Sequence, residues 1–62
     1  MNQTTANYCE AVRQLLVLKG LDFANAANHA ALETDLITLD QFHAAARILV
    51  RAYLEDHPTK GV

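Results

Sequence analysis

The segment Ile37-Thr38-Leu39-Asp40-Gln41-Phe42 constrains this chain more than any other, because it specifies a helix start to a single residue. Thr38 with Gln41 three positions later has the form of a capping box, in which each side chain satisfies a backbone N–H that the first helical turn leaves open. Ile37 and Phe42 stand where a hydrophobic staple would close over that cap, and Asp40 puts a negative charge at the positive end of the helix dipole. A helix begun here runs until the residue before Pro58 is forced out of the helical region. This reading predicts a helix over about 39–56.

A second break is equally local. Lys19-Gly20 places a cation in a last turn and a glycine just beyond it, which ends a first helix over about 5–19, with Thr4, Thr5 or Asn7 as its start. Leu21 then falls where an apolar contact back to Leu16 is expected, and Asp22 is read as the cap of the next helix. That helix, about 23–34, carries Ala24, Ala26, Ala27, Ala30 and Ala31, side chains small enough for close approach of neighbouring backbones. Asp35 is expected to end it in the left-handed conformation, which Asp tolerates better than most residues.

Three helices and no alternating apolar and polar run make the fold class all-α, a compact three-helix bundle. The 62 residues form a single domain, 1–62, with 1–4 and 58–62 expected as flexible ends. A chain of this size buries only about 60% of its unfolded surface, so its core is thin. One cysteine allows no internal disulfide. No apolar run approaches the roughly 20 residues needed to span a bilayer, and the N-terminus lacks the pattern of a signal peptide. The expectation is a cytoplasmic protein with no membrane partner.

The apolar pattern exceeds what three helices can hide. On the third helix Leu39, Phe42, Ala46, Leu49 and Tyr53 form a seam at helical spacing, flanked by Ala45, Ile48 and Ala52 on one side and by Val50 and Leu54 on the other. Arg51 and Glu55 are spaced as an i,i+4 ion pair. On the first helix Tyr8, Cys9, Val12, Leu15 and Leu16 point inward, while Val17 is stranded with Glu10, Arg13 and Gln14. The interface residues expected from this surplus are Val17, Ile48, Val50 and Leu54. The function expected is a non-enzymatic protein–protein interaction or oligomerisation module, of the inhibitor or adaptor kind, with a homodimer as its first form and another protein as a further partner.

Catalytic signatures are missing from the chain. It contains no serine, only two glycines, and none of the phosphate-binding, metalloprotease or nucleophile-elbow motifs, so no enzyme activity and no cofactor is expected. His29 with Glu33, His43 with Asp40, and Cys9 are the residues a metal would recruit, yet their spacing matches no ligand signature. His29, His43 and His57 are read as surface residues and Cys9 as a small core hydrophobe. The alternative function is a small helix-turn-helix-like DNA-binding regulator. Charge argues against nucleic acid as a partner: the net charge is −2, and Asp40 precedes Arg47 and Arg51 on the helix that would enter the groove.

The stretch Leu36 to Phe42 resembles the L-I-T-x-x-x-F helix junction of short bacterial helical domains, including those of the SHOCT type. Those domains carry a glycine where this chain has Asp35 and lysines where it has Ala45 and Ala46, and the resemblance implies no activity, partner or site residue here.

Overall fold

The computed structural model describes residues 2–56 and contains three helices, α1 (Gln3–Lys19), α2 (Leu21–Glu33) and α3 (Leu39–Asp56), with each packed against the other two. The expected flexible end at 58–62 lies outside the described residues.

α1 begins earlier than its sequence predicts. Asn2, in extended conformation, accepts a hydrogen bond from the Thr5 N–H at 2.8 Å and is the N-cap. Residues read as a loose end are therefore the cap and the first turn. Asn7, one of the expected starts, lies inside the helix, where its side chain accepts from Gln3 Nε2 at 2.8 Å.

The joint between α1 and α2 is a single residue. The Gly20 N–H donates back to Leu16 O and its carbonyl accepts from the Ala24 N–H, both at 3.1 Å, so Gly20 ends one helix and starts the next. Its φ of 94° and ψ of 169° lie in a region open essentially to glycine alone. Leu16 and Leu21 both pack against the core cluster. Asp22 is not the cap: α2 has no side-chain cap, and Asp22 sits in its first turn, where its charge favours the helix dipole.

The joint between α2 and α3 is built differently. Thr34 closes α2, and Asp35 takes the left-handed conformation at φ 60°. Leu36 N–H reaches Ala31 O at 2.9 Å while Asp35 N–H reaches Leu32 O at 3.1 Å, the paired bonds of a Schellman motif. The capping box follows as expected: Gln41 Oε1 accepts from the Thr38 N–H at 2.7 Å, and Thr38 Oγ1 accepts from the Gln41 N–H at 3.2 Å.

The core is small and partly made of alanine. Val12 of α1, Ala24 of α2, and Ala45 and Leu49 of α3 form one buried cluster, with Tyr8, Leu15, Leu16 and Leu21 packed against it and Cys9 buried nearby. This rotates α3 from its expected setting. Leu39 and Tyr53, read as seam residues, are both about half exposed at 56% and 48%, while Ala45, read as a flank, is fully buried. The reason is steric: where three helices converge, a methyl group lets backbones close in, and the larger side chains are turned to the margins.

Candidate interaction face

One open furrow of about 670 Å³ runs along the outside of α3 and, among the described residues, is lined by that helix alone, by His43, Ala46, Val50 and Leu54 among others. Val50 and Leu54 are 57% and 50% exposed. Their i,i+4 spacing, continued back to Ala46, makes a straight apolar stripe. α1 has its own exposed pair, Val17 and Leu18, at 79% and 75%. Sequence reasoning found Val17 and missed Leu18, which belongs to no inward stripe and is simply open.

Ile48, grouped with these residues on sequence, lies elsewhere. It is half-buried in a groove between α1 and α3 of about 490 Å³, beside Leu16 and Arg13. α1 thus supplies the neighbour that the sequence did not foresee.

The apolar residues are also not continuous. Arg13 borders the furrow of Val17 and Leu18 and also the groove between α1 and α3. Arg47 and Arg51 border that groove and also the furrow of Val50 and Leu54. Three arginines therefore stand between the two apolar strips. Arg13 makes one exposed contact, to Glu10 at 3.8 Å, and the Arg51–Glu55 ion pair expected from sequence is absent among the described residues. Exposed pairs of this spacing repay little of the side-chain entropy they cost, so their absence is unremarkable energetically.

The one buried polar side chain among the described residues is Asn28, 1% exposed. It accepts a hydrogen bond from the Tyr8 hydroxyl on α1 and donates through Nδ2 to the Phe42 carbonyl of α3 at 3.3 Å, joining the three helices at one amide. Burial, with a smaller contribution from the Cys9 charge, raises the Tyr8 pKa above its ordinary value. Asn28 went unnoticed in the sequence although it occupies the row of Ala24 and Ala31 on α2, where a lone amide among alanines is the available signal.

His29 and His43 are exposed and both meet Phe42, at ring-centroid distances of 5.0 Å and 5.7 Å. Among the described residues no group of three His, Cys, Asp or Glu side chains is placed to hold a metal ion. No described helix is long and apolar enough to cross a membrane. Comparison with protein-family models, with curated proteins and with solved structures returns no match for this chain.

Proposed function

We propose that this chain is a small non-enzymatic interaction module that contacts other proteins through the outer faces of α1 and α3, its own copy first. The observation that carries this reading is the set of large aliphatic side chains, Val17, Leu18, Val50 and Leu54, left open on two helices of a domain whose buried cluster holds only two larger than alanine, Val12 and Leu49. A protein this short gains stability from covering such a surface, because its own core is thin. A closed two-fold pair is the commonest way for identical chains to do so.

Light scattering across concentration tests the reading. The wild type is expected to show twice the monomer mass at micromolar concentration, and Val50→Glu to return it to monomer with its helical circular dichroism retained. Val50 is the better probe than Ile48, because a charge at half-buried Ile48 would disturb the α1–α3 contact itself. A wild-type monomer at high micromolar concentration removes the homodimer.

A further inference from the structure

The position of the arginines says more about the partner than the apolar residues do. The protein is acidic, yet three of the four cations among its described residues, Arg13, Arg47 and Arg51, line one groove between α1 and α3. The segment from Leu21 to Thr38 holds the opposite charge, with Asp22, Glu33 and Asp35 and no lysine or arginine. Arg47 and Arg51 form no ion pair with any described residue, although Glu55 follows at the next i+4 position. Asp40 and Glu55 stand at the two ends of this row and Glu10 beside Arg13, so the band is cationic at its centre and bounded by acids.

From this arrangement we infer that the outer face of α1 and α3 is a docking site for an acidic amphipathic helix of a partner protein, one that lays an apolar stripe along Ala46, Val50 and Leu54 and sets carboxylates against Arg47 and Arg51. The inference rests on the interaction-module reading and specifies the occupant. Charge complementarity chooses it. Two copies paired by a two-fold axis through α3 present the same surface to each other, so each row of three arginines meets a face that carries the same three arginines and one carboxylate, Glu55, and gains less than it would from an edge of carboxylates. A helix with glutamates along one edge meets the same row with attraction, and a stripe at i, i+4 and i+8 lies along one side of α3, where a second helix packs against it side by side. A second copy then occupies the face with little electrostatic gain, and the acidic helix displaces it.

The experiment uses two fluorescently labelled helical peptides of equal length with leucines at i, i+4 and i+8, one with glutamates along the flanking edge and one with lysines. Anisotropy titration against the full chain is expected to show binding of the glutamate peptide, weakened by added salt, and at least about tenfold weaker binding of the lysine peptide. Arg47→Glu combined with Arg51→Glu is expected to reverse that preference. A reversal cannot arise from unfolding, and circular dichroism of the variant checks that it remains helical. Equal binding of both peptides, or no reversal, overturns the acidic partner while leaving the face an interface. Binding of neither peptide by a chain that is dimeric in light scattering assigns the face to the second copy and overturns the inference. Neither peptide bound by a monomeric chain removes the interaction-module reading as well. Retardation of random duplex DNA without glutamate-peptide binding reassigns the arginine band to phosphate and overturns the inference likewise.

Discussion

The two joints of this bundle solve the same problem by opposite means. Between α1 and α2 the turn is concentrated in Gly20, whose backbone conformation no other residue adopts without strain, and whose N–H and C=O each complete a helix. Between α2 and α3 the turn is spread over five residues, Thr34 to Thr38, and held by four backbone bonds, by the Thr34 hydroxyl donating to Ala30 O at 2.8 Å, and by a reciprocal pair of side-chain bonds. The first joint depends on one residue type, so it fails by a single substitution. The second is redundant, so it degrades in steps.

The sharpest way to break this contrast is Gly20→Ala. Apart from Gly20 itself and its two chain neighbours, no atom lies within 4 Å of where the new methyl would sit, so the cost comes from the positive φ, and a loss of about 2 kcal/mol in urea unfolding is expected. Loss of a few tenths would show that the joint relaxes and is not held by glycine. Thr38→Ala removes one cap hydroxyl at the other joint and should cost about 1 kcal/mol, seen as a melting point several degrees lower, while His43→Ala on the exposed side of α3 leaves it nearly unchanged. Equal small effects at both positions would remove the capping box as a determinant. Asp35→Gly should stabilise by about 0.5 kcal/mol, since glycine takes the left-handed position at lower cost. A decrease in stability would mean that the Asp35 side chain contributes something its backbone does not.

A pH titration gives the smallest effect at ordinary pH and sharpens the comparison through Asn28. The Tyr8 hydroxyl is held to Asn28, which in turn holds the Phe42 carbonyl at the start of α3. Because the folded state raises the Tyr8 pKa above its usual 10.0, the stability it contributes is fully present below pH 10 and is lost as pH rises through the folded-state value. Tyr8→Phe is expected to flatten that alkaline loss in thermal unfolding. An unchanged slope would show that Tyr8 keeps its proton equally in both states.

Much of the fold was legible because capping is written in short range. Thr38, Gln41, Gly20 and Asp35 each act within five residues of themselves, and each appears where its sequence context placed it. The reading weakened where tertiary contact overrode local pattern. Apolar spacing and side-chain size favour Leu39 and Tyr53 over Ala45 as core residues, but helix convergence rewards small volume, so α3 is turned relative to its apolar spacing. Asn2 escaped notice because a polar residue at a chain start looks the same whether or not it caps. At the candidate face, Val17, Val50 and Leu54 were readable as surplus, whereas the arginine band between them was not. It arises from α1 and α3 lying side by side, and Arg13 and Arg47 are 34 positions apart in the chain.

Gly20 also decides where this protein can grow. A one-residue joint has no slack: an inserted residue would interrupt the bonds to Leu16 and from Ala24 and change the angle at which α2 leaves α1. At the other joint Leu36 is 79% exposed and makes its contribution through its backbone. Lengthening a loop there costs only about 0.6 kcal/mol per doubling of its length. A tag, an epitope or a second domain would be carried between Leu36 and Ile37 and not at Gly20, so the chain has a single internal address, among its described residues, at which it can be extended without being rebuilt.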